Sequence, residues 1–181
     1  LFYNPTLLAE CNFKTGEYIN YLSDPSYIKN IEIKVLNNRK YIINFAKIIK
    51  NKGFIPDKLK EKFKAVVKVS YPFGDCSYKG KIRQHGDAID HISFDNRKPL
   101  RSLNVTLEKG NIMNAVSFKL FLPKSRNGKN EILGALILKE MDFIAPETFE
   151  VFTKINDLES IMIFQESARK ELLEKNNRRE G

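Results

Sequence analysis

The chain has no tryptophan and only two cysteines, Cys11 and Cys76, among its 181 residues. So few cysteines argue against a disulfide scaffold and say little about compartment. No apolar run approaches the ~20 residues that a membrane helix needs, and the start does not read as a signal peptide. The chain opens on Leu1 rather than Met and stops at Gly181 in a charged stretch, so it is expected to be a piece of a longer protein. What it does have is core material: 42% of residues are hydrophobic and 13 are Phe, enough for one domain.

The net charge of +9 is local, because residues 29–68 hold 12 Lys and Arg against 3 acids while the rest of the chain balances. Such a stretch can attract phosphate, nucleic acid or an anionic glycan, but in a lysine- and asparagine-rich sequence it is more often a solvated helix face. Nucleic acid is therefore not the favoured partner. Within it, residues 38–52 place Ile42, Phe45, Ala46 and Ile49 at helical spacing, with Gly53 and Pro56 as stop signals. Arg39, Lys40, Lys47 and Lys50 fall on the wetter side, and a second short helix is expected from Asp57. Residues 1–64 read as an N-terminal extension carrying this basic helix, and residues 65–181 as the main domain.

Residues 65–71 (AVVKVSY) and 77–85 (SYKGKIRQH) flank PFGDC, whose Pro and Gly suit a hairpin. That loop has one glycine and no G-x-G-x-x-G, so backbone cradling of phosphate there is poorly supported. LRSLNVTLEK follows as an alternating strand. Residues 115–166 then run strand, helix, strand, strand. AVSFKLFLP is β-rich, and EILGALILKEM sets Ile132, Leu133, Leu136, Ile137 and Met141 at helical spacing. TFEVFTKI and SIMIFQE are joined at Asn156 and Asp157, a hairpin signal. The expected fold class is α+β: an antiparallel sheet of about six strands under one long packed helix, laid out like the small lobe of a protein kinase, with a helical N-terminal extension.

Taken in order, KIRQHGDAIDHI, RSLNVTL, FKLFLPKSRN, EILGALILKEMDFIAPE and IFQESARKELLEKNNRREG resemble the CotH kinase-like family, spore-coat-type proteins with an atypical kinase fold and their bacterial relatives. The shared run is R-x-x-G-D-x-x-D-H, a serine-led strand, P-K-[ST]-R-N, a helix opening with Glu and closing before A-P, a strand ending in acid, and N-N-x-R-R-E-G. It spans residues 65–181. The resemblance implies a nucleotide-side lobe whose partner, a larger C-terminal lobe with the metal-binding and catalytic aspartates, would lie after Gly181. No catalytic or metal-binding residue is then expected in this piece, which should be inactive alone. ATP and Mg²⁺ would belong to the full-length protein, acting on a protein or polysaccharide in the cytoplasm or at the cell envelope of a bacterium.

A kinase small lobe contributes a lysine for the nucleotide phosphates and a helix glutamate that orients it. For the glutamate, Glu131 matches the family's helix opening, and Glu140 is the second candidate, set by periodicity beside Leu133, Leu136 and Ile137. For the cation, Lys119 lies mid-strand, while Lys124 and Arg126 lie in the P-K-[ST]-R-N segment. Glu166 matches a family acid in the hinge at residues 163–167. Asn104 and Thr106 stand where relatives carry basic residues, Ser160 replaces a glycine and Gln165 an acid. His85, Asp87, Asp90 and His91, with Cys76 nearby, do not form a zinc pattern; Asp87 and His91 are expected to brace the loop through hydrogen bonds to backbone. The alternatives are a non-catalytic interaction domain of the same fold, or a basic module that binds nucleic acid or acidic glycan.

Overall fold

The computed structural model describes residues 10–51, 53–95 and 98–178. In chain order the elements are β1 (Glu10–Cys11), α1 (Ile19–Leu22), β2 (Asn30–Val35), α2 (Asn38–Lys50), β3 (Phe63–Tyr71), β4 (Gly74–Gln84), β5 (Ile92–Asp95), β6 (Lys98–Arg101), β7 (Leu103–Leu107), β8 (Ser117–Phe121), α3 (Asn130–Glu140), β9 (Thr148–Ile155), β10 (Leu158–Glu166) and α4 (Lys170–Lys175). The strand order β4-β3-β2-β9-β10-β8-β7 returns to its start, because β7 also pairs with β4. Seven staves therefore form a closed barrel, mixed because β2 and β9 run parallel while the other stave pairs are antiparallel.

This corrects the expected open antiparallel sheet of kinase-lobe type. The hairpins β3–β4 and β9–β10 form as the turn residues required, the first through Pro72 and Phe73 and the second through Asn156 in the left-handed region and Asp157. Closure comes from two long-range pairings instead. Asn30–Val35, inside the expected extension, is a stave between β3 and β9. Gly80 allows the other contact: a Cβ there would lie 2.8 Å from the Thr106 carbonyl oxygen, so only glycine lets β7 approach β4 this closely. The result leaves the barrel without free edges.

Strand alternation fills the interior. Ile31 and Ile33 of β2, Val67 and Val69 of β3, Ile82 of β4, Leu103 and Val105 of β7, Phe118 and Leu120 of β8, and Met162 and Phe164 of β10 are fully enclosed. A barrel of about this strand number has an interior that side chains alone can fill. Each such side chain contributes about 1.5–3 kcal/mol by leaving water. The Phe164 ring stacks between Phe118 and Phe149, at 4.7 and 4.8 Å between centroids.

α2 forms as its spacing predicts, capped by the Asn37 side chain, which accepts from Lys40 N–H. The segment from Asp57 makes a single 3₁₀ turn, Asp57–Leu59. α3 also forms, but it is not a long helix docked by an apolar face. It has 11 residues; Ala135 is buried, while Leu133, Leu136, Ile137 and Met141 are at least half exposed. The reason lies in its sequence: Ile132, Leu133, Ala135, Leu136, Ile137 and Leu138 surround the axis, so no single stripe can be buried at once. Polar contacts tether it instead, Lys129 to Glu150 at 2.8 Å and Lys139 to Glu147 at 2.7 Å.

The two cysteines are joined. Cys11 and Cys76 face each other across β1 and β4 and form a disulfide, so the chain carries one cross-strand staple rather than a scaffold. Beside it, Phe73 at the β3–β4 tip stacks on Tyr18 at 4.2 Å and on Tyr71 at 5.4 Å, with Phe13 edge-on at 5.0 Å. Staple and aromatic cluster together fasten the N-terminal segment to the hairpin.

Candidate functional site

On the outside of the barrel the register draws one row across four strands. Arg83 of β4 pairs with Asn104 of β7, Asn104 with Lys119 of β8, and Lys119 with Gln165 of β10. With strands 4.7–4.9 Å apart, these four side chains span about 14 Å. The row ends against α3, where Gln165 Nε2 donates to Glu131 Oε1 at 2.6 Å. The other carboxylate oxygen of Glu131 lies 3.7 Å from Arg126 Nε. The Arg126 guanidinium in turn sits over the Phe121 ring, 4.1 Å from its centroid, which fixes its plane.

Three of the sequence candidates, Lys119, Arg126 and Glu131, therefore meet at one place. Lys119 has no ion-pair partner among the described residues, and its ammonium lies 5.9 Å from the Phe121 centroid. Burial, aided by the nearby Arg126 charge and opposed by Glu131, holds the Lys119 pKa below its ordinary value. His85 packs edge-on against Phe121 at 5.0 Å. Burial first, then the charges of Lys119, His91, Arg126 and Arg83, push its pKa down to about 4. This neighbourhood disfavours further positive charge and would be relieved by an anion.

The row continues into an open cleft of about 400 Å³. Lys62, Lys81, Arg83 and Arg169 surround it, with Asn104 and Thr106 in its wall. Of these cations, only Lys81 has an acidic partner among the described residues, Glu108 at 3.7 Å. Asn104 Oδ1 is buried and accepts no hydrogen bond there. Asn104 and Thr106 thus line the cleft with neutral groups, and neighbouring strands supply the positive charge. The sequence reading missed Lys81 and Arg83, although KGKIRQ alternates cation with inward residue along β4, a legible signal for an outward basic edge.

The remaining candidates lie elsewhere. Lys124 is exposed on a 3₁₀ turn (Pro123–Arg126), and Glu140 is exposed at the end of α3. Glu166 is buried at the barrel end, where one of its oxygens accepts from Glu147 N–H at 3.3 Å and lies 3.6 Å from Lys175 Nζ. Glu147 belongs to the same cluster. Its burial would raise the carboxyl pKa, but hydrogen bonds from Lys139 and Lys175 outweigh this and hold it low. Asp87 pairs through its side chain with Lys60, and its carbonyl accepts from Ile55 N–H at 2.6 Å. His91 is buried against Gly86, which has a φ of +83° and leaves no room for a Cβ beside the ring. The two residues thus brace the loop by an ion pair and ring packing, with the main-chain bond made by the Asp87 backbone.

The basic excess of residues 29–68 is distributed over β2, α2, β3 and the segments that connect them rather than gathered on one helix face. Several of its members are paired: Lys40 with Glu61 at 3.0 Å, Lys68 with Asp75 at 2.8 Å, and Lys60 with Asp57 at 3.1 Å. Lys62 is the member that reaches the cleft. Among the described residues, no group of three or more His, Cys, Asp or Glu is arranged to hold a metal ion, and Cys76 is engaged in its disulfide. No described helix is long and apolar enough to cross a membrane. No protein-family model matches the sequence, and no curated protein matches it.

Proposed function

We propose that the outward row Arg83–Asn104–Lys119–Gln165, flanked by Glu131 of α3, holds the phosphates of a nucleotide. In this reading the chain is the nucleotide-side lobe of a CotH-type kinase-like protein, which transfers a phosphoryl group to a protein or cell-surface polymer only as the full-length chain. One observation carries it: Glu131 is held by Gln165 and Arg126 at the end of a row whose central ammonium, Lys119, has no described carboxylate on it. A half-buried ammonium with no carboxylate on it among the described residues suits phosphate, because charge-assisted hydrogen bonds contribute about 1.5–3 kcal/mol each. Phosphoryl transfer also needs carboxylates on Mg²⁺ and a group that positions the acceptor, and the proposal assigns these to the larger lobe. The reading rests on this site and on the resemblance, not on sheet layout. The Cys11–Cys76 disulfide favours the cell envelope over the cytoplasm, since reducing compartments rarely keep such a bond.

A second reading, a non-catalytic interaction domain, is favoured by the β3–β4 hairpin. Its tip is stacked into the aromatic cluster, so it is poorly suited to folding over phosphates as a glycine-rich loop does. Calorimetry with ATP and Mg²⁺ on the full-length protein, larger lobe included, separates the two. Saturable binding by the wild type, weakened about tenfold or more in Lys119→Ala, is expected; tenfold corresponds to about 1.4 kcal/mol. Absence of binding by the wild type would remove the nucleotide reading and leave the interaction domain.

A further inference from the structure

At the end of β6 the structure buries a charge. Arg101 is 2% exposed, with its guanidinium 3.8 Å from the Tyr41 ring centroid and 5.3 Å from that of Phe45. One nitrogen is bonded, Nη1 donating to Asn44 Oδ1 at 3.2 Å. Nε and Nη2 are shut off from solvent and meet no acceptor among the described residues. Arginine cannot discharge itself by losing a proton, so the side chain keeps its full charge while two of its donors stand idle. Those two nitrogens form one edge of the guanidinium fork, and parallel donors on such an edge match the two oxygens of a carboxylate.

Arg101 is also part of the wall of a cavity of about 240 Å³. Tyr41 and Ile42 of α2, Leu100 of β6, and Ile155 and Leu158 on either side of the β9–β10 turn make most of the remainder, an apolar lining. The turn that forms the rim is tied down: Asn156 Oδ1 accepts from Val35 N–H at 2.9 Å, and its Nδ2 donates to Asn38 Oδ1 at 3.0 Å. The acidic residue in the wall, Asp157, is exposed at that turn. An apolar cavity of modest size with one placed polar group has the general build of a small-molecule site.

We infer that this cavity binds a small organic carboxylate with an apolar body. The carboxylate pairs with Nε and Nη2 of Arg101, and the body lies against Ile42, Leu100 and Leu158. Both nitrogens are closed to solvent although Arg101 lines the cavity, so docking requires a lining side chain to move, and Ile42 is half exposed there. The site shares no residue with the phosphate row, and its fate is independent of the nucleotide reading.

Titration of the whole chain with benzoate and with hexanoate tests the inference, read by the Arg101 Nε–H nuclear magnetic resonance and by thermal melting. A saturable shift of that resonance and a raised Tm are expected with at least one acid, and neither with benzamide or hexanamide. Arg101→Lys keeps the charge but loses the fork and should bind at least tenfold more weakly. Ile42→Trp, at a half-exposed position, should fold normally and block the cavity, which guards against a Lys variant that fails to fold. The inference is overturned if the wild type gives no saturable shift with either acid, if the amides bind equally well, or if inorganic phosphate binds where the acids do not.

Discussion

Lys119, His85 and Arg126 share the Phe121 ring, and each makes a second positive charge harder to hold. For His85 the consequence is a dependence of stability on pH. Its folded pKa of about 4 lies below the ordinary value of 6.5, so between those limits the unfolded chain binds more protons than the folded one. The stability that goes with a neutral His85 is present above pH 6.5 and is lost as pH falls toward 4. Urea midpoints measured from pH 7 to pH 4 should decline less steeply in His85→Gln than in the wild type. Equal slopes would mean that the imidazole is not sheltered. At this scale the sequence was informative about chemistry and silent about company. Lys119, Arg126 and Glu131 could be named from their segments, whereas Arg83 could not be joined to them, because alternation says which way a side chain points and not which strand lies beside it. Arg101 offered no signal at all, as nothing in KPLRS marks an arginine that will be buried.

Among the elements, α3 shows where periodic reading succeeds and where it fails. Helix-forming residues between a turn and Ala145–Pro146 made the helix legible, and the structure places it within a residue or so of that expectation. Its docked face was not legible, since apolar side chains on every side satisfy any chosen stripe. Leu136 is 51% exposed, so Leu136→Lys should change stability by less than about 0.5 kcal/mol in urea denaturation. A leucine packed into a core would instead cost about 2–5 kcal/mol on truncation to alanine. A loss of that size for the lysine variant would restore the docked helix. β2 was similarly half legible: IEIKVL alternates as a strand does, but its parallel pairing with β9 joins residues more than 100 positions apart.

For the whole molecule, closure of the barrel decides what the outer surface can do. With the interior filled by Ile, Val, Leu and Phe, function is left to the outside and the barrel ends. Bringing β4, β7, β8 and β10 side by side turns four separate segments into one basic row ending at a fixed carboxylate. Neither half of that statement follows from local sequence, because β4–β7 pairing depends on the missing side chain at Gly80 and on the path of everything between. Whether the row receives phosphate is read most directly by titrating ATP into the isotope-labelled chain and following the side-chain amides of Asn104 and Gln165, which flank Lys119. Both should shift in a saturable manner with ATP and fail to do so in Lys119→Ala; shifts confined to residues away from the row, or none, would contradict the assignment.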